Sequence, residues 1–329
     1  MSAAPHRRVI AVMVLVPVVA ALALWAFAWP AARTAPRNLP IGVAGPTAAA
    51  GQLEQRFEER GGAFDVHRYE DEAAARTAIE DRVVYGAVVA APEGPKLLIA
   101  TGGGPAVAQL LEQAVTAQAP PGAEVRVTDL APLPAGDPRG SALPASVLPL
   151  VLGGVAAGAL VTLLGLRGTR AAGALAGAAV LVGITATAIA HSWLGVLDGG
   201  WWAEAGALSL TVAAVGAPVA GLAALLGTPG IGAGALVMVL LGNPFSGASS
   251  APELLPGPVG DLGQWLPPGA GATLMRSVAY FDGSGGAAAL LTLSVWAALG
   301  LTAVLVAHRR SPAPAPAGAS PRPSAVPAA

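Results

Sequence analysis

Long apolar runs alternate along the chain with one mixed, polar stretch. A bilayer core is crossed by about 20 consecutive apolar residues in helical form. Val9–Trp29, Leu143–Leu166, Ala205–Leu226 and Ala287–Ala307 hold no charged residue, and Ala171–Trp193 carries only His191, at its end. Pro229–Phe245 is shorter and Gly-rich and makes a further candidate. A charge at mid-helix costs about 2.5–3.5 kcal/mol on insertion, a cost these windows avoid. The pattern therefore predicts an α-helical polytopic membrane protein with about six transmembrane helices. Val9–Trp29 also has the basic start and the Ala26-Phe27-Ala28 run of a signal peptide. Its apolar core exceeds the 7–15 residues or so of such peptides, which favours an uncleaved anchor.

Residues 37–136 change character. Leu39–Gly45 and Phe64–Tyr69 read as strands. Thr47–Arg60 reads as a helix with Leu53 and Phe57 on one face. Asp71–Val84 reads as a helix with an acidic N-cap and Ala75, Ile79 and Val83 on its apolar face. Ala87–Ala91 and Lys96–Thr101 flank Pro92-Glu93-Gly94-Pro95 and form a hairpin pattern. Ala106–Gln118 is a helix with an apolar stripe, and Glu124–Leu130 is a last strand. The expectation is an α/β domain between the first two membrane helices. Gly102-Gly103-Gly104 ahead of a helix offers two readings, a flexible turn or a row of backbone N–H groups facing an anion.

Composition strengthens the membrane reading. The chain is 54% hydrophobic and 11% charged, against about 25% charged residues in soluble domains. Acidic and basic residues nearly cancel, 19 against 18, so charge does not point to nucleic acid as a partner. There is no Cys, hence no disulfide or thiol chemistry. The position of the arginines sets an orientation. Arg7 and Arg8 precede the first run, Arg167 and Arg170 separate the second and third, and Arg309 and Arg310 follow the last. Positive loops stay in the cytoplasm, so six crossings place both termini inside and residues 37–136 outside. Trp25, Trp29, Trp193, Trp201, Trp202 and Trp265 fall near that outer face, where indole favours the interface, and Trp296 does not. The expected order is a cytoplasmic N-terminus (1–8), helix 1 (9–29), the α/β domain (37–136), helices 2–5 (143–245), an outer loop (246–286), helix 6 (287–307) and a disordered tail (308–329).

The outer loop supplies the candidate site. It is too rich in proline to span and too apolar for a solvated linker. Pro268–Phe281 predicts a short helix lying at the interface or dipping back, with its backbone shielded by protein. Arg276 on it has two readings: contact with a lipid phosphate or anionic substrate, or escape to water or to Asp282. Trp265, Tyr280 and Asp282 are the other candidate contacts for substrate or lipid. Gly154/Gly158 and Gly173/Gly177 permit close helix packing, expected within one subunit.

Enzyme signatures are missing from the sequence. Lys96, the only lysine, is not in a G-x-x-x-x-G-K-[ST] loop, and no H-E-x-x-H, G-x-S-x-G or G-x-G-x-x-G occurs. His6, His67, His191 and His308 are scattered. No cofactor, metal or enzymatic activity is expected. No membrane helix has an ionisable residue near its middle, which argues against a self-powered ion-coupled transporter.

The order of helix, α/β domain and further helices, with a structured loop before the last, resembles ABC-2-type exporter permeases. It is most similar to the phage-infection-protein-like subgroup. Asp81-Arg82-Val83-Val84-Tyr85-Gly86-Ala87, Asn243–Gly247, Gly263–Ala270 and Arg276–Gly283 carry the resemblance. It implies a bacterial plasma-membrane subunit that forms a homodimer or heterodimer in the lipid bilayer. It further implies a separate ATPase partner and export of an amphipathic substrate. The internal loops Arg167–Arg170 and Gly227–Gly230 are short for contact with an ATPase. The competing reading is a non-transporting envelope protein whose external domain binds a cell-wall, lipid or protein partner.

Overall fold

Chargeless runs of Val, Leu, Ala and Gly become helices because a helix satisfies every backbone polar group internally. In the computed structural model, which describes residues 4–91, 94–117 and 125–310, five helices are long and apolar enough to cross a membrane. They lie within α1 (Ala4–Ala32), α5 (Ala142–Leu163), α6 (Gly168–Thr187, continued as a π-helix over Ala188–Trp193), α7 (Trp201–Leu226) and α11 (Ala287–Arg310). The sixth candidate is shorter than expected. Thr228–Gly242, α8 with a π-helical second half, rises about 22 Å at 1.5 Å per residue, less than the roughly 30 Å of a hydrocarbon core. It stops at Asn243-Pro244, and Gly230 and Gly234 press its backbone onto Leu222 and Val219 of α7. The tail 311–329 lies outside the described residues.

Five strands between Leu39 and Asp129 form one sheet flanked by helices. The strands are β1 (Leu39–Ala44), β2 (Phe64–Tyr69), β3 (Gly86–Ala91), β4 (Gly94–Ile99) and β5 (Arg126–Asp129), in the order β2-β1-β3-β4-β5. Only the β3–β4 hairpin is antiparallel. Its turn, Pro92–Glu93, lies outside the described residues. Helices α2 (Thr47–Glu58) and α4 (Pro105–Thr116) cover one face, where Phe57, Val107 and Leu111 meet Leu39, Ile41, Val43, Val88, Leu97 and Ile99. Helix α3 (Glu72–Glu80) covers the other, capped by Asp71, whose carboxylate accepts from Ala74 N at 2.8 Å. Helix α3 ends four residues before the expected Val84, because Asp81 caps it and Arg82 turns left-handed at φ 60°.

The loop 246–286 completes both sheet cores. Leu254, in a 3-10 turn over Pro252–Leu254, is buried in the α2/α4 core. Phe281, after the last residue of α10 (Pro267–Tyr280), is buried in the α3 core. Helix α9 (Val259–Gln264) precedes α10. Helix α10 runs antiparallel to the start of α7: Gly271 sits against Thr211, while Val278 and Ala279 sit against Gly199. Most of its residues are buried within the protein.

Small residues set the helix contacts. Gly154 and Gly158 of α5 pack against Val215, Gly216 and Val219 of α7. Gly300 of α11 meets the backbone of Ala217 and Pro218. Gly173 and Gly177 lie on the opposite kind of surface, with nothing near the position of a Cβ. The first glycine pair therefore serves packing within the chain and the second does not. Trp296, the outlier among the indoles, donates to Trp265 O at 2.8 Å.

Candidate functional site

The junction between sheet and helices holds a network of half-buried polar side chains. Asp81 closes α3, so the chain turns sharply at Arg82 and directs that side chain at α10. Arg82 Nη1 donates to Thr273 O at 3.2 Å and to Ser277 Oγ at 2.5 Å. Its guanidinium lies 5.3 Å from the Phe281 ring centroid. Three residues on, Tyr85 donates its hydroxyl to Glu253 Oε2 at 2.8 Å. Burial pushes the Arg82 pKa down, against the pull of Tyr85 and Glu253. Burial first, then the neighbouring Glu253 carboxylate, pushes the Tyr85 phenol far up, so it stays a neutral donor.

Arg276 lies beside this network, next to Ser277 on α10. It is 4% exposed, and its Nη2 donates to Ala248 O at 2.6 Å and Gly247 O at 3.3 Å. It neither reaches water nor pairs with Asp282. The loop after α8 folds its carbonyls over α10, and a guanidinium satisfies them where water is excluded. Asp282 is exposed beyond α10 at φ 49°. Trp265 is 73% exposed. Tyr280 donates to Val196 O at 3.3 Å. Of the four residues singled out in the sequence, the fold brings Arg276 and Tyr280 into the junction and leaves Trp265 and Asp282 at its edge.

The glycine run after β4 is a docking surface. A Cβ on Gly102 would stand 2.8 Å from the Tyr280 ring, and one on Gly103 would stand 3.2 Å from Phe281. Asp129 clamps this turn by accepting from Thr101 N, Thr101 Oγ1 and Ala131 N. Close approach of α10 is the role of these glycines here, rather than a loose turn or an anion cradle.

A second pair joins the end of α6 to the start of α7. Glu204, in the first turn of α7, is fully buried. Its carboxylate accepts from Gly199 N at 2.9 Å and lies 3.0 Å from His191 Nδ1, which sits on the π-helical end of α6. Thr187, one turn earlier than His191, is buried with its hydroxyl unpaired. The sequence expectation placed Glu204 in a loop, because α7 begins four residues before the predicted start.

Sequence reasoning also passed over Arg82, Tyr85 and Glu253 as site residues. The available signal was a basic residue just past a helix end, and an acid in an otherwise apolar proline-rich loop. Among the described residues no group of three His, Asp or Glu side chains is placed to hold a metal ion. Compared with protein-family models, curated proteins and solved structures, the chain matches none.

Proposed function

We propose that the protein is the membrane-spanning subunit of an ABC-2-like exporter in a bacterial plasma membrane. In this reading a separate ATPase powers it, and it works as a homodimer or heterodimer. Its substrate is amphipathic or derived from the cell envelope, and the chain itself carries out no catalytic step. The observation that carries the reading is α10, packed against α7 and α11 ahead of the last helix and seated under the sheet domain. Motion of the helices would pass through α10 into that domain, which a tethered, independent module would not permit. Exposed Arg167, just before α6, and Arg170, in its first turn, support a cytoplasmic face there, with both termini inside and the sheet domain outside. On this topology α8 and α10 together fill the place of the sixth crossing.

One observation favours the alternative, a non-transporting envelope protein whose sheet domain binds a cell-wall, lipid or protein partner. The turn between α7 and α8 is the single residue Gly227, and Leu164–Arg167 joins α5 to α6. These offer an ATPase little surface. A mild-detergent pull-down of the tagged full-length protein, read by mass spectrometry, separates the two. A stoichiometric ATPase is the expected result. Envelope proteins or lipids without an ATPase would replace the exporter reading by the alternative.

A further inference from the structure

Beside the Arg82 network lies a cavity of about 320 Å³ between the sheet and the 252–264 turn, with Arg82, Tyr85, Glu253, Asp261, Gln264 and Thr273 among its polar walls. The volume suits a small polar group. Its walls carry charge of both signs.

Arg82 supplies the cation. A guanidinium has five N–H donors, and only those on Nη1 are engaged among the described residues, by Thr273 and Ser277. Nε and Nη2 remain for another acceptor. The residue is held in left-handed backbone at φ 60°, a conformation that persists where its surroundings over-determine it and that clusters at ligand clamps. The acceptors come from the loop. Glu253 commits Oε2 to Tyr85, which leaves Oε1. Asp261, exposed at the mouth, has no partner among the described residues. Thr273 Oγ1 donates to Gln264 Oε1 at 2.7 Å, and Gln264 Nε2 donates to Ser246 O at 3.1 Å, so these two are satisfied and shape the wall.

A half-buried cation with spare donors faces a plain choice of ligands. A lone anion would satisfy Arg82 and be repelled by two carboxylates. A lone cation would meet Arg82. A group carrying both charges a few bonds apart answers both walls. We propose that this cavity binds a zwitterionic aminophosphate group, its phosphate on Arg82 and its ammonium on Glu253 and Asp261. Guanidinium matches phosphate oxygens through paired N–H donors. The ammonium brings three donors to acceptor-only carboxylates. Two sources carry this chemistry, the headgroup of a phosphatidylethanolamine lipid and free phosphoethanolamine. The inference rests on the exporter reading only in placing the cavity at a membrane surface, and it requires no ATPase.

The test uses the full-length protein. Phosphoethanolamine, inorganic phosphate and ethanolamine are titrated by calorimetry into the detergent-solubilised protein. In parallel, native mass spectrometry follows lipids retained from nanodiscs of phosphatidylethanolamine or of phosphatidylglycerol. The zwitterion is expected to bind at least about tenfold more tightly than inorganic phosphate. Asp261→Asn should weaken it by about tenfold without moving the ligand-free melting temperature. Arg82→Gln should abolish it; because that change also removes bonds to α10, the Asp261 variant decides the matter if the Arg82 variant fails to fold. Retention of phosphatidylethanolamine alone assigns the site to lipid, and binding of both forms assigns it to the headgroup from either source. Equal affinity for inorganic phosphate, affinity unmoved by Asp261→Asn, or no binding of either zwitterion overturns the proposal. Recovery or loss of an ATPase in the pull-down leaves each of these outcomes unchanged.

Discussion

Helices α1 and α7 are both apolar enough to cross a membrane, yet the protein treats them differently. The most apolar window of α1 is 6% buried, and that of α7 is 67% buried. Hydropathy runs the other way, 2.8 for α1 against 1.9 for α7. Burial in a membrane protein thus does not follow apolarity, because lipid solvates an apolar side chain as well as a neighbouring helix does. Shape decides instead. Glycines on α5, α6 and α11 (Gly154, Gly158, Gly183 and Gly300) reach the backbone of α7, whereas α1 presents bulky Val and Leu and touches the rest chiefly through Ala26 and Trp29 near its C-terminal end.

The largest effect on this contrast is expected at Phe281. Phe281→Ala should remove about 3–5 kcal/mol of docking between sheet and α10. Hydrogen exchange in the full-length protein should then speed up in α3 and β4, and unchanged protection there would mean the junction is not a shared core. Gly300→Val comes next. A Cβ at Gly300 would stand 2.3 Å from Ala217 C and Pro218 N, so the helices must separate at a cost of about 1–3 kcal/mol. A lower melting temperature in detergent is expected, while Val14→Leu in α1 should change it by less than about 0.5 kcal/mol equivalent. If both variants melted alike, the contrast between the two helices would fail.

Smaller effects refine the picture. Tyr85→Phe leaves Glu253 without its donor and should cost about 1–3 kcal/mol, read as a lower melting temperature that Glu253→Gln partly restores. Glu72 is the mildest probe. The hydrogen bond from Lys96 holds its carboxyl below the usual carboxylate range, at a Nζ–Oε1 distance of 2.6 Å, with Arg76 adding to it. A depressed folded-state value contributes stability above the unfolded value, and that contribution is lost as pH falls through the folded one. Glu72→Gln should therefore flatten the acid limb of the melting curve slightly. An acid limb identical to that of the unaltered protein would show the pair to be fully screened.

Membrane character and the sheet domain's elements were legible in the sequence because both rest on local pattern. Chargeless windows of bilayer length announce helices in lipid, and the pattern between them announced strands over Leu39–Gly45 and Phe64–Tyr69 and the β3–β4 hairpin. Even Pro268–Phe281 was readable as a short helix. What the sequence could not show was how these elements meet. Arg276 was open to contact with an anion or to escape to water or Asp282, because its partners, Gly247 O and Ala248 O, are backbone atoms nearly thirty residues away and carry no side-chain signature. Glu204 looked like a loop residue because a helix start is blurred by one turn in sequence, and one turn separates solvent from a buried pair with His191. Arg82, Tyr85 and Glu253 became a site only when the loop before the last helix folded under the sheet. Local propensity set the parts, and long-range contact between one domain's cores and another segment's Leu254 and Phe281 set their arrangement, since packing depends on partners that sequence distance does not encode.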